Sequence, residues 1–157
     1  MIVEKVITTT QATTQADVDI TEITLLSVEE AEKLDEDTRY IGDPWWLRSP
    51  GDFDDFAAIV NPNGVVYADG SYVDSTYGLR PALTISNLQA SNLRIRDQFI
   101  LADEQWTVIG KDKALCDDIV GRAPFRKAWK APDANDYEKS DVKRWLKKWL
   151  SGKGIKL

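Results

Sequence analysis

The sequence predicts an α+β domain built from short, twisted antiparallel strands, long loops and two helices packed on the sheet. Three observations carry that expectation. Short apolar runs alternate with turn signals across residues 45–85, which is β patterning. The C-terminal stretch repeats its apolar residues at helical spacing. Ser27 and Glu30 stand at capping-box spacing, where a hydroxyl caps the first turn and a carboxylate reaches back.

Taken in order, residues 1–22 are Thr-rich and read as an ordered arm or short strand, because Thr and Val suit extended backbone. Residues 23–26 (Ile-Thr-Leu-Leu) form a short apolar strand. The capped helix follows and runs to about Leu34, and residues 35–44 are polar and turn-like. Asn61-Pro62-Asn63-Gly64 is a strong hairpin turn, and Asp69-Gly70 is a second turn candidate. Residues 86–105 are a connector. Trp106-Thr107-Val108-Ile109 is a strand, the turn at residues 111–113 reverses it, and Ala114-Leu115-Cys116 returns as a hairpin. Ser140 caps the last helix. Val142, Trp145, Leu146, Trp149 and Leu150 form its apolar stripe, and Gly152 is its expected stop.

At 157 residues, 43% apolar and 29% charged, the chain fits one folded domain over residues 1–157. Net charge is −6 and uneven: residues 122–157 hold 11 basic and four acidic side chains, which leaves −13 for the remainder. The basic end reads as the solvent face of a helix, and the acidic remainder opposes nucleic-acid binding. The N-terminus shows no signal peptide and no membrane-inserting run. The expected location is the cytoplasm or a phage virion.

Chemistry is constrained by what is missing. The chain has no histidine, which removes the commonest general base and most zinc sites. Its single cysteine, Cys116, has acidic neighbours in Asp117 and Asp118, which raise rather than lower a thiol pKa; it reads as a small core residue. No disulfide, cofactor or enzyme activity is expected. Asp52, Asp54 and Asp55 form an acidic cluster open to calcium, but without EF-hand spacing or a closing Glu, so no metal is assigned.

Residues 52–77 are more informative. Asp52, Phe53, Asp55, Phe56, Asn61, Tyr67, Asp69, Ser71, Tyr72, Asp74, Ser75 and Tyr77 alternate with small or β-branched residues. Tyr provides rigid contact area at low entropic cost, and Ser, Asn and Asp provide adaptable hydrogen bonds, as in antibody-like paratopes. An ordinary polar loop region has the same composition. Trp45, Trp46, Arg48, Arg80 and Pro81 bracket the segment and read as scaffold, since indoles need burial and Arg can stack on them or tie down loop carbonyls.

Trp45-Trp46-Leu47-Arg48-Ser49-Pro50-Gly51, Ala57-Ala58-x-Val60, Gly64, Val73 and Gly78-Leu79-Arg80-Pro81-Ala82-Leu83 make one long motif. It resembles bacterial and phage domains of the DUF6273 type. Those in turn resemble the C-type-lectin-like fold shared by formylglycine-generating enzymes and the variable proteins of diversity-generating retroelements. The resemblance implies a single C-type-lectin-like domain over residues 1–157 with its core at residues 23–85, and variable side chains between the two motif blocks. Trp106-x-Val108-Ile109, Ala114-Leu115 and Asp136-Tyr137-Glu138-x-Ser140-x-Val142-x-Arg144-Trp145-Leu146 look like the family's usual beginning. Here they come last, so residues 106–157 read as a circularly permuted first part, its helix packing on the sheet of residues 45–83. The formylglycine-generating chemistry does not carry over, because it uses a cysteine pair; the Glu-Pro-Asn and Trp-Asn-Asp motifs of sugar-binding lectins are also absent. The expected function is therefore a non-enzymatic module that binds a protein or glycan ligand, retroelement-diversified or serving phage or gut-bacterial receptor binding. The alternative is a homo-oligomeric assembly protein of a phage particle.

Overall fold

The structure, a computed structural model, describes residues 18–88 and 90–157. Most of the arm read at residues 1–22 lies outside them. The described elements are β1 (Ile20–Thr24), α1 (Val28–Glu32), α2 (Glu36–Arg39), β2 (Trp45–Pro50), β3 (Phe56–Val60), β4 (Val66–Tyr72), β5 (Thr76–Leu79), β6 (Ala82–Ile85), β7 (Gln98–Leu101), β8 (Glu104–Val108), β9 (Lys113–Cys116), β10 (Gly121–Pro124), a 3₁₀ turn (Tyr137–Lys139) and α3 (Asp141–Gly152). Fold class is α+β, with mostly antiparallel sheets and few helices. The described residues cluster into two compact units.

One unit holds Pro81–Asp118 and Lys148–Leu157 together with residues 18–23. Its sheet has the order β1-β6-β9-β8-β7. The hairpin expected at residues 106–116 is present: β8 pairs antiparallel with β9. Trp106 is fully buried and donates its indole N–H to the Leu101 carbonyl at 2.9 Å. Residues 86–105 are only partly a connector, because β7 lies inside them and buries Phe99 and Leu101. The β7–β8 turn places Ala102 and Asp103 at φ 56° and 63° without a glycine, so no turn signal marked it. α3 ends at Gly152, its expected stop, but the cap forms two residues further on. Gly154 carries the positive φ, Gly154 N–H donates to Ser151, and Ile155 N–H reaches Leu150. That is a Schellman cap, sealed by buried Ile155 and Leu150.

The other unit holds Thr24–Arg80 and Ile119–Lys147, with the sheet order β10-β5-β2-β3-β4. β2, β3 and β4 form an antiparallel meander. Its second turn is the expected one: the Asn61 side chain accepts from the Asn63 and Val65 amides. β5 then lies parallel to β2 (Trp45 opposite Gly78), and β10 pairs antiparallel with β5. The motif tryptophans form the core: Trp45, Trp46 and Leu47 are all fully buried. Trp46 packs on Tyr77 and Phe125, at ring separations of 4.9 and 5.4 Å, and its indole donates to the Ala123 carbonyl at 2.9 Å.

Capping is local and follows residue type. Both reciprocal bonds of the Ser27–Glu30 capping box form, and Ser140 accepts from the Lys143 amide at the start of α3. Residues 35–44 are not only turn: Asp35 accepts from the Thr38 amide and starts the one-turn helix α2. Asp69-Gly70 is not a turn. It lies inside β4, where the register with β3 shifts between Ala57 and Ile59, so the pair forms a bulge.

Candidate functional site

β4 is the edge of its sheet, and the loop joining β2 to β3 folds against it. Two glycines allow that approach. A Cβ on Gly51 would stand 2.4 Å from the Asp69 carbonyl oxygen, and one on Gly70 would stand 2.5 Å from the Ala57 carbonyl oxygen. Gly70 also has φ +89°, which L side chains rarely adopt. With both Cβ atoms absent, the Asp52 amide donates to the Asp69 carbonyl at 2.9 Å and the Gly51 amide to Phe56 at 2.8 Å.

The loop and the strand end together present a row of aromatic rings. Phe53 meets Phe56 edge-to-face at 5.0 Å, and Phe56 meets Tyr72 the same way at 4.6 Å. Phe56 sits opposite Tyr72 in the β3–β4 ladder. Phe53 is 63% exposed and Tyr72 57%, so the row faces solvent rather than closing a core.

The remaining candidate residues divide. Asp52, Asp69 and Asp74 are exposed, and Asp55 is half-buried, its carbonyl accepting from Val73. Ser75 is half-buried in the β4–β5 turn, where its amide donates to Tyr72. Ser71 and Tyr77 join their hydroxyls at 2.9 Å, and the Tyr77 ring lies on Trp46, so this pair belongs to the packing on buried Trp46 and not to the row. Asn61 and exposed Tyr67 stand at the far end of the hairpin, where Val60 pairs with Val66. The structure thus brings Asp52, Phe53, Phe56, Asp69 and Tyr72 together and leaves Asn61 and Tyr67 apart from them.

The Asp52 carboxyl is held above the ordinary aspartate value, chiefly by its hydrogen bond with Asp69, then by desolvation and the Asp69 charge. The folded chain therefore holds that proton more tightly than the unfolded chain. The contact contributes stability at acidic pH and loses it as pH rises through the Asp52 titration. Asp69→Ala should bring the Asp52 titration back down toward the ordinary value, read by carboxyl carbon NMR. An unmoved midpoint would rule out Asp69 as the cause.

Of the motif arginines, Arg48 donates to the Leu25 carbonyl at 2.7 Å and to the capping-box carboxylate of Glu30 at 2.6 Å. Arg80 is buried, lies 5.0 Å over the Trp45 ring and donates to the Thr38 carbonyl at 2.7 Å. Pro81 is buried.

The family model described as Domain of unknown function (DUF6273) matches residues 7–87, just over half of the chain. The chain belongs to the DUF6273 family. No curated protein and no solved structure matches it.

The DUF6273 match covers the aromatic row and both motif blocks, but not everything that borders the site. Asn135 donates its side-chain amide to the Phe53 carbonyl at 3.1 Å, and the Arg126 amide donates to Val73 at 3.0 Å. Asp133 pairs with Arg126 at 3.4 Å and with Lys139 at 2.8 Å. The Lys139 hydrogen bond is the main reason the Asp133 carboxyl sits below its usual range, and the same bond raises the lysine. Asn135, Arg126 and Asp133 lie far from the row in sequence and outside the motif blocks, so no local pattern marks them as its neighbours. An open cleft of about 510 Å³ lies there, lined by Arg48, Ser49, Pro50, Asn135, Asp136, Tyr137 and Glu138.

Among the described residues no group of three or more acidic, Cys or His side chains is placed to hold a metal ion. No helix among them is long and apolar enough to cross a membrane. Cys116 is fully buried, with its sulfur 3.9 Å from a Glu104 carboxylate oxygen.

Proposed function

We propose that the chain is a non-enzymatic ligand-binding module that presents Phe53, Phe56 and Tyr72, with the aspartates around them, on a rigid C-type-lectin-like scaffold. The observation that carries this reading is the solvent-facing aromatic row on a sheet in which Trp45, Trp46 and Leu47 of β2 are fully buried. Rigid rings on an immobile base lose little entropy on binding. The ligand is a protein or glycan surface, and the setting is a phage or gut-bacterial receptor-binding protein or a retroelement-diversified one. To test the site, the chain and its Phe53→Ala/Tyr72→Ala variant are immobilised and exposed to bacterial surface protein and glycan fractions. Loss of two central aromatic contacts should weaken binding by about tenfold or more. Ligands that bind both forms equally would remove these residues from the site.

The permuted order belongs to the same proposal. Of residues 106–157, the stretch 119–147 clusters with 24–80, whereas 106–118 and 148–157 cluster with 81–105. Val18 and Leu157 line one cavity of about 300 Å³. A chain in which Leu157 is joined to Met1 by a Gly-Ser linker and opened between Asn92 and Leu93 should still unfold cooperatively, as followed by circular dichroism. Failure of that permutant to fold would count against the permuted reading.

A further inference from the structure

The aromatic row sits in a stretch of unusual charge. Between Arg48 and Arg80 the chain has five aspartates (Asp52, Asp54, Asp55, Asp69, Asp74) and no lysine or arginine. Four are exposed and Asp55 is half-buried. Among the described residues none of the five takes part in an ion pair. The bordering loop and the start of α3 differ: Arg126 and Lys139 pair with Asp133, Lys143 with Glu138, and Arg144 with Asp141. Arg126 and Lys139 are therefore already partnered by Asp133, Lys130 lies over the Trp129 ring, and among the described residues none of the five aspartates has a cation paired with it.

We propose that the partner of this surface is a cationic polypeptide segment, which lays an arginine or lysine side chain across Phe53 and Tyr72 while the surrounding carboxylates pair with its charges. The inference rests on the binding-module reading and specifies its ligand. Exposed ring faces attract a guanidinium or ammonium group, and Arg adds planar stacking. Unpaired carboxylates steer a cation in and repel nucleic acid, acidic glycans and anionic lipid. An aromatic patch alone would not choose between partners; here the charge does.

The test uses the full chain and fluorescence anisotropy, with a labelled peptide of alternating arginine and glycine as probe. A glutamate–glycine peptide of equal length and maltohexaose serve as competitors. Phe53→Ala/Tyr72→Ala keeps every charge and should weaken the arginine peptide about tenfold; Asp52→Asn/Asp54→Asn/Asp74→Asn keeps both rings and should do the same. Glu36→Gln/Asp37→Asn, on α2 at the opposite end of the hairpin, should leave binding within about twofold. All the substituted side chains are exposed, and circular dichroism melts check that each variant is folded. Absence of arginine-peptide binding overturns the proposal, as does equal weakening by the α2 variant, which would mean bulk charge alone. Displacement by maltohexaose or the acidic peptide through the same rings overturns it too, but leaves the binding-module reading standing. Self-association that Phe53→Ala/Tyr72→Ala abolishes, seen by sedimentation, makes a second copy the occupant and also overturns it.

Discussion

Trp46→Ala should cost about 3–5 kcal/mol, the range for deleting a large buried aromatic. The ring is fully buried and packs on Tyr77 and Phe125. Its indole N–H satisfies the Ala123 carbonyl, so truncation also leaves that acceptor without its donor. One side chain thus joins β2, β5 and the segment entering from β10. Domains of this kind are stable by only about 5–15 kcal/mol, so the variant should unfold at far lower urea concentration than the parent chain. Trp46→Phe keeps most of the packing and loses the donor, and should cost about 1–2 kcal/mol. Urea melts followed by circular dichroism read both; a Trp46→Ala loss below about 1 kcal/mol would show that the ring does not hold these elements together.

Gly70→Ala should cost about 2–4 kcal/mol, from strain at positive φ and from overpacking. The new Cβ would stand 2.5 Å from the Ala57 carbonyl oxygen and 2.7 Å from its carbon, both backbone atoms of the paired strand. Nothing flexible can move aside. The bulge should open and release the Asp52 loop, so the Asp52 titration should fall toward the ordinary value in the same variant. Gly110→Ala is the control: an added Cβ there meets nothing within 4 Å, and its cost should stay within about 0.5 kcal/mol. Equal melting of the two variants would contradict the bulge account.

These two residues differ in how far the sequence discloses their roles. That Trp46 needs burial is plain from an indole within an apolar motif. That its partner is Ala123 is not, because 77 residues separate them and nothing local marks the pairing. Asp69-Gly70 reads as a turn because glycine at positive φ serves turns and bulges equally well. The choice is made by the opposing strand, where the β3 backbone stays paired on both sides of the shift. The aromatic row behaves similarly. Composition flagged Phe53, Phe56 and Tyr72 along with nine others, and only the fold separates the row from Tyr77, which lies on Trp46, and from Asn61 at the other end of the hairpin.

Short edge strands account for much of the rest. β10 contains Gly121 and Pro124, both poor strand formers, and forms only because β5 is there to pair with. β7 is four residues long and is held by its ladder with β8. α2 is a single turn whose cap, Asp35, sits in a polar run that looks like loop.

By itself the sequence determined the family, the capping box at Ser27 and Glu30, the Asn61–Gly64 turn, the β8–β9 hairpin, and the cap and stripe of α3. Each depends on side chains within a few residues of one another, where hydrogen bonds and periodicity act on the local backbone. Tertiary structure alone decided which strands are neighbours, that Gly70 makes a bulge, and that the loop of residues 126–139 borders the aromatic row. Those outcomes follow from burying Trp46 and pairing distant backbone, and distant segments share no local code.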